Sequence, residues 1–356
     1  MDNMKVRQIC FYFIAMMPVV RFLVYPATLS YNSSNDLLFS AFINLLLEGA
    51  AVALVMLLAR KTKLSLFELI ENTFGKIAAK IVYALFALFF LAAALLPMME
   101  QKNFVLLVMY ENVPSVISFA PFFFVCLFAC VKGFKSIGRM ADIALPVFAI
   151  AFVALILLAL PQTDFSALLP TAGVPIKDVL KGSLFSANWY TEAAFLLFFL
   201  GNFEYEKRAA LKVISSYAIG SAAVLLFLAV FYGVFSDIAI RQYNAVAQIS
   251  KYTTSFTSLG RVDYLFIFAL ALVMIFRLCV PAQMCVHCIC KTIGCKPFIP
   301  ALAVNALLLA LTIFFNYSFL EVQTLFTQKL WLMFLIFAYA LPAAALLLKK
   351  RRLVDE

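Results

Sequence analysis

Met17-Pro18-Val19-Val20-Arg21 and Ser186-Ala187-Asn188-Trp189-Tyr190-Thr191-Glu192 each interrupt a long apolar run. A helix in lipid must satisfy its own backbone N–H and C=O groups. A proline or a string of polar residues is therefore tolerated there only where the chain lines a cavity or is covered by protein. Interruptions at corresponding positions of two halves point to a midplane ligand site in an inverted-repeat transporter. Arg21 and Glu192 lie within these runs, where an ionised side chain costs about 2.5–3.5 kcal/mol even on the lenient insertion scale. Each needs a partner or a water-filled cavity.

The surrounding sequence makes the bilayer its solvent. Of 356 residues, 65% are hydrophobic, 13% are charged and 39 are Phe, and the mean hydropathy is +1.02. Globular domains run at roughly 45–50% apolar and about 25% charged, so a soluble enzyme or a nucleic-acid binder is excluded as a class. Runs of about 20 apolar residues predict an all-α membrane protein, since barrel strands are much shorter. We place ten spans at about 7–30, 37–60, 77–108, 117–132, 140–160, 179–200, 209–234, 259–282, 298–316 and 324–348. They make one membrane domain over 1–356, in two five-helix repeats at about 7–160 and 179–348. The first run, Ile9 to Leu29, reads as a permanent span, because no small-residue cleavage site precedes a soluble domain.

The net charge of +10 reports topology and not a polyanion partner. Lys5 and Arg7, Arg60 to Lys80, Lys132 to Arg139, Lys207 to Lys212, Lys291 and Lys296, and Lys349 to Arg352 occupy alternate connections. If these are cytoplasmic, both termini are cytoplasmic too. Within the connections, Leu66, Leu69, Ile70 and Phe74 recur at helical spacing and predict a short surface helix over 65–74. The polar stretch Ser236 to Ser258 is expected to cap an entrance on the other face.

In the interrupted spans, one reading has Arg21 and freed N–H groups holding the carboxylate of an amino acid while Glu192 faces its ammonium. The plainer reading pairs Arg21 with Glu192 as a structural tie. Asn188 and Glu192, like Asn44 and Glu48, are four apart and are expected to share a helical face turned to the bundle interior. Glu48 and Glu192 are candidate proton carriers; a neutral Glu48 bonded to a neighbouring helix is the alternative. Glu100 and Lys102 read as a polar belt that either lines an outward vestibule or, more simply, lies near the headgroups, where Lys102 can snorkel. Cys285, His287, Cys288, Cys290 and Cys295 have a zinc-like spacing, but no second ligand pair matches it and no metal site is assigned. No phosphate loop, nucleotide motif or nucleophile elbow occurs, so neither enzymatic chemistry nor a cofactor is expected.

Several stretches together resemble the spore germination permease family, the integral-membrane B subunits of germinant receptors. They are Gly138-Arg139-Met140-Ala141-Asp142-Ile143-Ala144-Leu145-Pro146, Asp164-Phe165-Ser166-Ala167-Leu168-Leu169-Pro170, Lys181-Gly182-Ser183, Leu259-Gly260-Arg261-Val262-Asp263 and Phe276-Arg277-Leu278. The resemblance covers essentially the whole chain. It implies a branch of the amino acid, polyamine and organocation transporter superfamily, with the leucine-transporter-type five-plus-five fold and broken helices 1 and 6. It also implies a small germinant, commonly an amino acid, and a complex with a larger membrane A subunit and a lipoprotein C subunit in the inner spore membrane. On that basis Pro18, Val19, Arg21, Ser186, Asn188, Trp189 and Glu192 are the expected ligand-binding residues, and Glu48, Glu192 and Arg277 a proton or charge relay. The rivals are a proton-coupled amino acid transporter and a scaffold that binds no ligand.

Two departures are visible. Family members usually carry glycine at the first break, where this chain has Pro18-Val19-Val20-Arg21. Sodium-coupled relatives use span-eight hydroxyls, and Ala269 to Phe276 has none. Arg277 is expected to supply a fixed positive charge in their place. Arg277→Gln should then alter folding or ligand response; unchanged thermal unfolding together with an unchanged ligand titration would remove that role.

Overall fold

The computed structural model describes residues 4–109, 115–203, 205–252, 263–316 and 318–348. Helices form over the predicted apolar runs, and five of those described are long and apolar enough to cross a bilayer. A sixth is added if Phe298–Phe314 and Phe319–Lys329, bent by 114°, form one span. In chain order the helices are α1 (Val6–Val19), α2 (Tyr25–Ser33), α3 (Leu37–Lys61), the surface helix α4 (Leu66–Phe74), α5 (Lys76–Met109), α6 (Ser115–Lys132) and α7 (Phe134–Ala159). They continue with α8 (Ile176–Phe185), α9 (Glu192–Phe199), α10 (Ala209–Phe235), α11 (Ala245–Tyr252), α12 (Asp263–Ile293), α13 (Phe298–Phe314), α14 (Phe319–Lys329) and α15 (Trp331–Leu347).

Local chemistry explains most boundaries. Pro18, with no N–H, sits in the last turn of α1 just after a wide π turn at Tyr12–Met16. The chain leaves the helix only beyond it, over 20–24, so the first break lies a little later than the sequence suggested. Pro26 then opens α2, where a missing N–H removes no helical bond. The second break runs from Ser186 to Thr191 with one 3₁₀ turn at Ala187–Trp189. Asn188 and Glu192 consequently do not share a helical face, whereas Asn44 and Glu48 do, both buried on α3. A further interruption, at Leu330 between α14 and α15, has no proline at the bend and was not expected.

α4 forms as its periodicity predicts. Ser65 and Glu68 make a reciprocal capping box, and Leu66, Leu69 and Ile70 are buried, while Phe74 stays exposed. The polar connection after α10 folds as a 3₁₀ turn, Ser236–Arg241, followed by α11; residues 253–258 of that stretch lie outside the described residues, as do Leu259 to Val262 and Lys349 to Arg352.

α12 packs chiefly on α5 and α7, and α3 on α10. Leu47, Leu88, Phe124, Ile150 and Leu157 point outward, as expected where the surrounding solvent is hydrocarbon. Between helices, lipid supplies no hydrophobic drive, so close backbone approach through small residues matters. Gly220 of α10 lies so near the Phe13 carbonyl of α1 that a Cβ there would overlap it. Gly220→Ala should destabilise the fold by about 1–3 kcal/mol, the usual cost of overpacking. A lowered thermal midpoint in detergent checks it, with Ile150→Val on the lipid face expected to change little.

Candidate functional site

The two breaks meet at the centre of the bundle. The Arg21 Nε–H donates to the Trp189 carbonyl at 3.1 Å, and the Tyr25 and Tyr190 hydroxyls are 2.6 Å apart. The Arg21 Nη2 group donates to Glu48 Oε2 of α3 at 2.6 Å, and both side chains are fully buried. The other Glu48 oxygen accepts the Glu192 backbone N–H at 2.9 Å. That N–H belongs to the first residue of α9, so a carboxylate caps the positive end of a half-helix. The Glu192 side chain in turn pairs with Arg277 of α12 at 2.5 Å and accepts the Tyr12 hydroxyl. Two basic and two acidic side chains thus form one buried chain, Arg21–Glu48–α9–Glu192–Arg277.

This arrangement corrects the expected structural tie. Arg21 and Glu192 do not pair with each other; each takes a partner from a neighbouring helix. The guanidinium of Arg21 also lies 4.0 Å from the centre of the Tyr190 ring, and its Nη1 has no hydrogen-bond partner among the described residues. Pro18, Val19, Ser186, Asn188 and Trp189 are all buried here. Asn44 holds the end of α8 through the Ser183 carbonyl at 2.8 Å and the Ser186 hydroxyl at 3.0 Å, while Asn188 Oδ1 is left without a partner among the described residues.

Sequence reasoning missed the tyrosines. Tyr12 serves Glu192, and the Tyr217 hydroxyl lies 2.8 Å from the Leu45 carbonyl and 3.1 Å from Glu48 Oε2. The available signal was general: a buried Tyr needs a partner for its hydroxyl. The belt on α5 was misplaced. Glu100, Gln101 and Lys102 are buried, and Lys102 does not snorkel to headgroups. Its ammonium meets Asn316 and, at 3.4 Å, the Thr312 carbonyl in the last turn of α13, where a cation suits the helix dipole. His287 packs 4.9 Å from the Phe134 ring, and among the described residues no three His, Cys, Asp or Glu gather as a metal site.

Breaking α1 from α2 frees backbone carbonyls, and α11 covers two of them: Ala245 N–H donates to Leu23 O at 3.0 Å and Val246 N–H to Phe22 O at 3.3 Å. A small cavity of about 10 Å³ is walled by Val19, Phe22, Leu23, Gln101, Phe104 and Val246, among others. A larger vestibule of about 470 Å³ opens between Val24, Asn103, Tyr243, Asn244 and Asn316. Asn244 and Val246, where α11 begins, thus wall one space each beside the first break. A separate pocket of about 440 Å³, lined by Thr62, Lys63, Gly201 and Tyr205, lies at the opposite end of the bundle.

A family model described as spore germination protein matches residues 4–325. No curated protein sequence matches. Among solved structures the chain is similar to MhsT in complex with L-phenylalanine, with a TM-score of 0.66 at 11% identity, covering 96% of each chain. It is also similar to a manganese transporter variant from Eremococcus coleocola (TM-score 0.59, 11% identity, 96% of this chain and 76% of that one). Mhp1, a nucleobase-cation-symport-1 family transporter, in a closed conformation with bromovinylhydantoin bound, gives a TM-score of 0.54 at 11% identity over 90% of this chain and 75% of that one. At such identity the likeness shows the shared leucine-transporter-type fold.

Removing one partner of a buried ion pair strands the other charge, at a cost of about 3–5 kcal/mol, whereas replacing both by apolar groups of similar volume is often neutral. Glu48→Ala should accordingly lower the thermal midpoint far more than Arg21→Met with Glu48→Leu. A double-mutant cycle on the purified protein measures the coupling, and additive losses would contradict it.

Proposed function

This chain belongs to the spore germination permease family, and from that premise we propose that it is the permease-like, ligand-sensing subunit of a spore germinant receptor. The family and the fold are those of permeases in a multi-pass membrane protein. The observation that carries the reading is the meeting of two helix breaks around a buried polar cluster. The ligand is a small germinant, an amino acid by class, held between Pro18, Val19 and Arg21 on one break and Ser186, Asn188, Trp189 and Glu192 on the other. Glu48, Glu192 and Arg277 form the charge relay that ties that site to α3 and α12.

Binding shifts the balance between closed and open arrangements in proportion to the ligand's differential affinity for them. An A subunit and a lipoprotein C subunit read that shift. We place the protein in the inner spore membrane with both termini cytoplasmic, and take about 7–160 and 179–348 as the bounds of its two halves. The likeness in fold to Mhp1 and to a manganese transporter favours transport as the second reading, which we take as proton-coupled amino acid transport with Glu48 or Glu192 carrying the proton.

Thermal stabilisation of the purified chain in detergent against the twenty amino acids, nucleosides and sugars tests the proposal. A ligand bound only by the folded state adds about 2.7 kcal/mol at a hundredfold excess over its Kd. One compound should raise the midpoint of the wild type and fail on Asn188→Ala, whose side-chain oxygen has no partner among the described residues. Uptake of that compound into proteoliposomes under a pH gradient would favour the transporter instead. If no compound stabilises the wild type, the ligand reading falls and a scaffold remains.

A further inference from the structure

The central cluster is self-sufficient in charge, since Arg21 is matched by Glu48 and Arg277 by Glu192. Both Glu192 oxygens are occupied, one by Arg277 and the other by Tyr12, so Glu192 is poorly placed to receive a ligand's ammonium. A third carboxyl stands nearby. Glu100 of α5 is fully buried and forms no ion pair among the described residues. Its nearest polar neighbour is the Trp189 indole N–H at 3.5 Å, a long contact, and its Oε1 has no partner among the described residues. The adjacent Gln101 is fully buried too, with both amide atoms unpartnered, and it is the one polar side chain in the wall of the small cavity beside the first break.

Each unsatisfied buried polar group costs about 1–3 kcal/mol, so three such atoms on successive residues are a concentrated penalty that a hydrogen-bonding ligand would offset. An ammonium brings three donors and no acceptor, which suits two side-chain oxygens. Trp189 connects the two ends: its carbonyl is held by Arg21, whose Nη1 is spare, and its indole faces Glu100. Resting on the central-site reading above, we propose that Glu100 and Gln101 form its amine subsite, with Arg21 Nη1 receiving the carboxylate. The ligand class is then the free α-amino acid, with both its amino and carboxyl groups unmodified. The cavity beside Gln101, about 10 Å³, holds roughly one water, so an amino acid is admitted only when the residues that wall it rearrange.

The test uses the full chain in detergent, with the twenty free amino acids and their N-acetyl derivatives as probes. An amino acid that stabilises the wild type should lose its effect when acetylated. Glu100→Gln, close to isosteric and breaking no ion pair, should keep the ligand-free midpoint yet weaken the apparent affinity about tenfold or more. An N-acetyl derivative that binds as well as its parent overturns the amine subsite and leaves the central site standing, and so does an unchanged affinity in Glu100→Gln. If no free amino acid stabilises the wild type but a nucleoside or sugar does, the amine subsite falls and the central site stands; if nothing stabilises it, both fall. Should Glu100→Gln not fold, the acetyl series on the wild type decides alone.

Discussion

The carboxylate of Glu48 is the contact on which the centre of this protein depends. It neutralises Arg21, caps the first amide of α9 and receives Tyr217, joining the first break, the second break, α3 and α10 at one buried point. In a hydrocarbon surround none of these groups can turn to water. The free energy of an unpaired guanidinium or an uncapped half-helix would oppose any arrangement in which the two breaks were apart. The same logic repeats at Glu192, where Arg277 and Tyr12 close the other end of the chain of charges. At the breaks the carbonyls of Phe22, Leu23, Ser183 and Trp189 and the N–H of Glu192 take partners from elsewhere in the sequence.

The carbonyls of Phe22 and Leu23, released by the end of α1, take their hydrogen bonds from the start of α11. The segment that satisfies the broken helix thus also contributes to the walls of the spaces beside it. Asn44 performs the matching task at the end of α8, holding Ser183 and Ser186.

Long apolar runs were legible in the sequence because they are local. A stretch such as Leu37 to Lys61 has no other way to place its side chains in a bilayer, and α3 forms over those residues. The surface helix α4 was legible for the same reason, since Ser65 and Glu68 cap it from within and its apolar positions recur every three or four residues. The two interruptions were visible as proline and polar clusters. The limits of such reading show at Asn188 and Glu192, where an assumption of continuous helix put both on one face and the break separates them. They show again at Glu100 and Lys102, since depth along the 34-residue helix α5 depends on what packs beside it.

Composition, run length and the positions of Pro18, Arg21, Asn188 and Glu192 by themselves determined a helical membrane protein with two broken spans and intramembrane charge. The motifs carried the family. Which charge meets which was decided by tertiary structure alone. Arg21 and Glu48 are 27 residues apart, and Arg277 and Glu192 are 85 apart, and each pair exists only because separate helices bring the side chains together. A sequence shows that a buried charge must be paired, because the penalty is a property of the residue and its solvent. It does not show the partner, because that is a property of how the helices pack.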